Sequence, residues 1–247
     1  MKKLFTILTL TLVTFTSNAQ TYCYDTNGDG EIDIYDVMCL VNKILGVPNP
    51  GEEPIAYTSC PDNNHPHMID LGLSSGTKWA CCNVDAEKPE SYGGYYAWGE
   101  VTEKNTYNWS NYVHCDGSSG TCHFIGSDIA GTEYDVAHVK WGGKWQMPNK
   151  EQIKELLDNC TREWIEINES CGVKFTGPNG GSIFFPAAGG YWDDSSTNIG
   201  RYGYYWTSTL DTSNLHRACS FDFYSGNAYT TNSRRLDGCT IRPIWAP

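Results

Sequence analysis

The sequence predicts an α+β fold preceded by a short loop–helix module. Three observations carry this reading. Residues 66–247 offer many short strand candidates rich in Tyr, Trp, Gly, Asn and Ser, with only two helical patterns among them. Residues 47–65, which open Val-Pro-Asn-Pro-Gly-Glu-Glu-Pro, form a linker. Residues 25–36 read Asp-Thr-Asn-Gly-Asp-Gly-Glu-Ile-Asp-Ile-Tyr-Asp, and no other segment combines residue type and spacing so specifically.

Taken in order, residues 1–20 form a secretory leader. Lys2 and Lys3 precede an apolar run from Leu4 to Phe15, followed by Ser17-Asn18-Ala19. The run is too short to span a bilayer, and no later stretch approaches that length. A secreted or cell-surface protein without membrane insertion is expected.

The module at 21–46 follows. Asp25, Asn27 and Asp29 offer side-chain oxygens at loop positions 1, 3 and 5. Glu31 offers its carbonyl at position 7, Asp33 ligates directly or through water, and Asp36 closes the loop. Gly30 sits at position 6, where the backbone bends sharply. A hard cation such as Ca²⁺ takes six to eight oxygens, so Ca²⁺ is the expected ligand. Val37, Leu40, Val41, Ile44 and Leu45 then share one helical face, which Gly46 and Pro48 end.

In the large domain, strand candidates fall at 68–71, 78–83, 92–98, 173–176, 182–186, 204–208, 219–223 and 240–244. Helices are expected at 135–141 and 150–160. Asn149 and Gln152 form a capping-box variant ahead of an apolar face of Ile153, Leu156, Leu157 and Cys160.

Charge and cysteine content narrow the partners. The net charge is −12, and without Lys2 and Lys3 the balance is 15 basic against 29 acidic side chains, a net of −14. Nucleic acid and anionic membranes are therefore not expected as partners. The 11 cysteines all follow the leader, which suggests disulfides in an exported chain and leaves an odd thiol. Neighbouring candidates are Cys115/Cys122, Cys160/Cys171, Cys219/Cys239 and Cys23/Cys39.

Two resemblances follow from the motifs. The 25–46 segment, with Asp at loop position 12 and no helix before the loop, resembles a type I dockerin repeat. A complete dockerin has two repeats and binds a cohesin. One is found here, so the resemblance implies a calcium-stabilised half-module with a cohesin as its candidate partner. The second rests on Asp70-Leu71-Gly72-Leu73-Ser74-Ser75-Gly76-Thr77-Lys78-Trp79-Ala80, Gly94-Tyr95-Tyr96-Ala97-Trp98-Gly99-Glu100, Trp141-Gly142-Gly143-Lys144-Trp145-Gln146-Met147-Pro148, Gly203-Tyr204-Tyr205-Trp206-Thr207-Ser208-Thr209 and Ile241-Arg242-Pro243-Ile244. In that order they resemble the Fibrobacter major-paralogous domain over residues 66–247. That family implies a C-type-lectin-like fold of the formylglycine-generating-enzyme-like branch. Trp98, Trp145 and Trp206 read as core, and Gly142, Gly143 and Gly203 as turns where the backbone crowds a neighbour.

Tests for chemistry point away from catalysis. Cys219 and Cys239 lie where that branch carries redox cysteines, but without its surrounding motif, and a disulfide between them is the simpler expectation. His114-Cys115 and Cys122-His123 lack the spacing of a zinc site, and a loop-closing disulfide fits better. Asp193-Asp194 are adjacent, so their side chains diverge and suit a solvated turn rather than glycoside cleavage.

The tail is the expected binding face. Residues 191–237 are dense in Tyr, Asn, Ser, Thr, Asp and Arg, a composition suited to recognition. Alternation puts Cys219, Phe221 and Phe223 toward the core, and Ser220, Asp222 and Tyr224 away from it. Trp206, Asn214, His216, Arg217, Asp222, Tyr224, Tyr229, Asn232, Arg234 and Arg235 are the candidate ligand-binding residues. The tail also resembles the variable region of proteins diversified by retroelements. The expected function is a secreted, calcium-binding, non-enzymatic adhesion protein with a protein or glycan ligand. Alternatives are an accessory subunit of polysaccharide degradation and a formylglycine-generating-type oxidoreductase.

Overall fold

The computed structural model describes residues 67–246, together with Val37. The chain divides into two units, Met1–Ile55 and Ala56–Pro247, and the architecture below is that of the second. The leader, the 25–36 loop and the helix behind it lie outside the described residues, apart from Val37, which is helical.

The strands are β1 (Met68–Asp70), β2 (Lys78–Ala80), β3 (Trp145–Gln146), β4 (Thr161–Ile167), β5 (Ser170–Thr176), β6 (Ser182–Pro186), β7 (Gly190–Trp192), β8 (Ser195–Thr197), β9 (Tyr202–Leu210), β10 (Arg217–Tyr224), β11 (Asn227–Arg234) and β12 (Ile244–Trp245). The helices are α1 (Val136–Trp141) and α2 (Lys150–Asn159). The sheet orders are β1-β2-β12-β3, β11-β10-β9, β4-β5-β6 and β7-β8.

This corrects the expected α+β, C-type-lectin-like class. Strand accounts for 39% and helix for 11% of the structure, so the fold is β-rich. The reason is local. Three strands (β4, β8 and β11) carry Thr, Ser, Glu or Asn where alternation would show apolar residues, and they hide as loops in the sequence. The helices are short because their ends are built in. Asp135 caps α1, and Gly142, at φ 68°, ends it after six residues. The capping box of Asn149 and Gln152 starts α2 as the sequence predicts.

Other expectations shift in detail. The 92–98 candidate is no strand; only Tyr96 pairs, bridging Cys239. Of the 240–244 candidate only Ile244 is in a strand, where it opens β12 ahead of Trp245, while Thr240 bridges Tyr205. Trp98, Trp145 and Trp206 are buried core residues. Gly203 sits inside β9 rather than at a turn. A Cβ there would come within 2.1 Å of the Phe223 ring, so glycine lets that ring cross the strand.

The core forms two large clusters. One gathers Trp98, Trp141, Trp145 and Trp206, and the other gathers Trp79, Phe175, Phe185, Phe221 and Phe223 with Ile153 and Leu156 of α2. Arg242, buried in the Ile-Arg-Pro segment, donates to Asn83 Oδ1 at 2.8 Å, to the carbonyls of Ala80 and Cys81 at 3.0 and 2.5 Å, and to Phe184 O at 2.8 Å. Its guanidinium also lies 5.0 Å from the Phe185 ring centroid.

Candidate recognition face

Pairing in the β9–β10–β11 sheet is antiparallel throughout, so residues in register share a face. One face holds Tyr205, Phe221, Phe223 and Ala228, and it packs on the second core cluster. The other holds two rows across the three strands. Tyr202 pairs Tyr224, which pairs Asn227, and Tyr204 pairs Asp222, which pairs Tyr229. The face is sequence-built: alternation in Phe221-Asp222-Phe223-Tyr224 sends aromatic carbon inward and polar groups outward.

The rings on this face touch one another. Tyr202 and Tyr204 stack with planes 3° apart and centroids at 5.9 Å. Tyr202 meets Tyr224 at 5.4 Å, and Trp192 sets its edge on Tyr204 at 4.9 Å. Asn198 Nδ2 donates to the Tyr204 hydroxyl at 3.0 Å. Burial is the main cause that raises the Tyr204 phenol to about 12, with Asp222 adding to it.

Asp222 lies beneath this aromatic layer, 7% exposed. Ser220 Oγ donates to its Oδ1 at 2.8 Å, and Ser220 Oγ also lies 3.0 Å from Ser233 Oγ. Burial pushes the Asp222 carboxyl up to about 6, against the opposing pull of the Ser220 hydrogen bond.

Of the ten candidate residues, Asp222, Tyr224 and Tyr229 come together here. Five stand elsewhere around the sheet. Asn232 donates to Asp211 Oδ2 at 3.0 Å, Arg217 donates to Asn232 O, His216 sets its ring edge on Trp109, Asn214 lies in the β9–β10 connection, and Arg234 pairs with Asp237 at 2.8 Å. Two are corrections. Trp206 is buried and donates its indole N–H to Tyr96 O at 2.8 Å. Arg235 is fully buried over the Trp98 and Tyr112 rings and donates to His123 O and Leu215 O. Charge made Arg235 look exposed, whereas a flat guanidinium stacks well inside an aromatic core. The sequence reading missed Tyr202, Tyr204 and Trp192, which only the register and the β7–β8 hairpin bring in.

The cysteines divide. Cys115 and Cys122 form a disulfide, as the sequence suggests. Cys160, Cys171, Cys219 and Cys239 are thiols, so the Cys160/Cys171 and Cys219/Cys239 pairs are not formed. Burial drives the Cys239 thiol well above its ordinary range and raises Cys219 as well. Thiols so held stay protonated, and the thiolate is the nucleophile. His123 Nε2 lies against Asp116 at 3.1 Å, and His114 Nε2 against Gly99 O at 2.8 Å. Among the described residues no group of three or more His, Cys, Asp or Glu side chains could hold a metal ion.

A family model described as "Domain of unknown function (DUF8237)" matches residues 121–244. No curated protein and no solved structure matches the chain.

Proposed function

The chain belongs to the family described as a domain of unknown function (DUF8237), and from that premise we propose that it is an exported recognition protein that binds a macromolecular ligand on the tyrosine face of the β9–β10–β11 sheet. The observation that carries this reading is the face itself. Tyr202, Tyr204, Tyr224 and Tyr229 surround a buried carboxylate and are framed by Asn, Ser and Thr side chains. Tyrosine gives large contact area at a cost of two torsions, and small polar residues adapt their hydrogen bonds, which is the chemistry of recognition surfaces. The buried carboxylate at the centre of the face favours a protein ligand, which can bring a basic side chain, over a neutral sugar.

The leader at 1–20 supports export, and the 25–36 loop supports a bound Ca²⁺ that clips the N-terminal module. Motif order supports kinship with the Fibrobacter major-paralogous domain. The buried, protonated Cys219 and Cys239 argue against the oxidoreductase alternative.

A protein and glycan array probed with the mature chain tests the reading. Ligands captured by the parent are expected to lose at least about tenfold in signal with Tyr224→Ala plus Tyr229→Ala, since aromatic anchors carry most interface energy. A folded double variant that captures the same ligands equally well would place binding elsewhere.

A further inference from the structure

We infer that Asp222 is the floor of a cation subsite, which takes a lysine or arginine side chain of a protein ligand between Tyr204 and Tyr229. This rests on reading the tyrosine face as the binding surface and names the chemistry of its centre.

The molecule supplies its own comparison. Asp135 is still more deeply buried, and it accepts hydrogen bonds from the backbone N–H groups of Gly131, Ala137, His138 and Met147. Asp237 is buried and has Arg234. Asp222 has neither provision. One hydroxyl reaches Oδ1, and among the described residues no hydrogen bond and no cation reaches Oδ2. Oδ2 is not among the fully buried side-chain atoms that lack a partner, so it opens to solvent, where a donor brought by the ligand can reach it. The donor should be charged, because charge-assisted hydrogen bonds are about twice as strong as neutral ones.

The surroundings agree. Tyr204 and Tyr229 flank Asp222 in one cross-strand row, and aromatic rings attract a cation beside a carboxylate. A single carboxylate offers too few oxygens for a Ca²⁺ site, and among the described residues no group of three or more His, Cys, Asp or Glu could hold a metal ion, which favours an organic cation. The net charge of −12 draws basic partners toward the chain.

The test is an NMR titration of tyrosine-ring resonances in the mature chain with three probes: Nα-acetyl-lysine methylamide, Nα-acetyl-arginine methylamide and the neutral Nα-acetyl-norleucine methylamide. The two cationic probes are expected to shift the Tyr204 and Tyr229 rings at millimolar concentration, and the norleucine probe to leave them unmoved. Asp222→Asn is expected to weaken cation binding at least about tenfold. The parent chain gives a second readout, needing no variant. Binding should fall about tenfold from pH 7.5 to pH 5 as the carboxylate takes its proton. Tyr202 from β9 and Tyr224 from β10 share its face; the groups in electrostatic contact with it are Tyr204 from β9, Cys219 from β10, Tyr229 from β11 and Cys239, each held above its ordinary range. Equal affinity for the neutral probe, no response to any probe, or unchanged binding in folded Asp222→Asn would overturn the subsite. If Asp222→Asn leaves array capture intact while the Tyr224→Ala, Tyr229→Ala chain loses it, the face binds and only the cation subsite falls. If neither variant changes capture, both readings fall.

Discussion

Asp222 holds its proton more tightly in the folded chain than in the unfolded one, because burial disfavours the charged form. Its folded pKa of about 6 lies above the ordinary carboxylate value of 3.8. Between those values the folded state binds more protons, so stability falls as pH rises through the window. Above it the full cost applies, on the order of 3 kcal/mol. Asp222→Asn removes the charge and keeps the shape. Urea denaturation is therefore expected to find the variant more stable at pH 7 by up to about 3 kcal/mol, with the difference shrinking toward zero near pH 4. Equal stability at pH 7 would mean that a cation or donor already satisfies the carboxylate. A side chain that costs stability at neutral pH, beneath a half-buried aromatic layer, is where function and stability pull apart.

Elements are tied together by Arg242 rather than by long helices. Its four acceptors lie in or just after β2 (Ala80, Cys81 and Asn83) and in β6 (Phe184), so one guanidinium spans two sheets. Asn83 in turn donates to the Tyr205 hydroxyl at 3.1 Å, which donates to Pro186 O at 2.7 Å. Arg242→Met keeps bulk but leaves buried oxygens without donors. A loss of at least about 3 kcal/mol in urea denaturation is expected. Arg242→Lys should recover little of it, since a point ammonium cannot reproduce a planar fork. A loss under about 1 kcal/mol would show that the acceptors find other donors. At this scale the sequence was legible where polarity alternates cleanly. Phe221, Asp222 and Phe223 announced both faces of β10, and Asn149 with Gln152 announced the start of α2. It was illegible where tertiary pairing overrides composition. Asn-Ala-Tyr-Thr-Thr-Asn-Ser-Arg becomes β11 only because β10 offers it a full ladder. Tyr202 and Tyr204 enter the recognition face through a register that no local pattern encodes. Trp206 and Arg235 left the candidate set for the converse reason: residue type suggested a surface, and packing made them core.

The whole molecule combines a β-rich unit with an N-terminal segment whose 25–36 loop lies outside the described residues, and the two bear on one question about Ca²⁺. A chain with a net charge of −12 attracts divalent ions diffusely. Diffuse attraction gives weak, multi-site heats that fade as salt screens exposed charges, with a Debye length of about 8 Å at 0.15 M. The loop we propose would behave differently: in the sequence Asp25, Asn27, Asp29, Glu31, Asp33 and Asp36 stand at the loop positions that Ca²⁺ requires, so a single discrete site is expected of it. Calorimetry of the mature chain at physiological salt is expected to give one site per chain. Asp25→Ala removes the first ligand while changing net charge by a single unit, so it should abolish the single-site heat and leave any diffuse background. Asp36→Glu restores the longer carboxylate that reaches the ion with both oxygens and should retain binding. A titration that is unchanged by Asp25→Ala, or that disappears at physiological salt in the parent, would assign the calcium response to the acidic surface rather than to the loop.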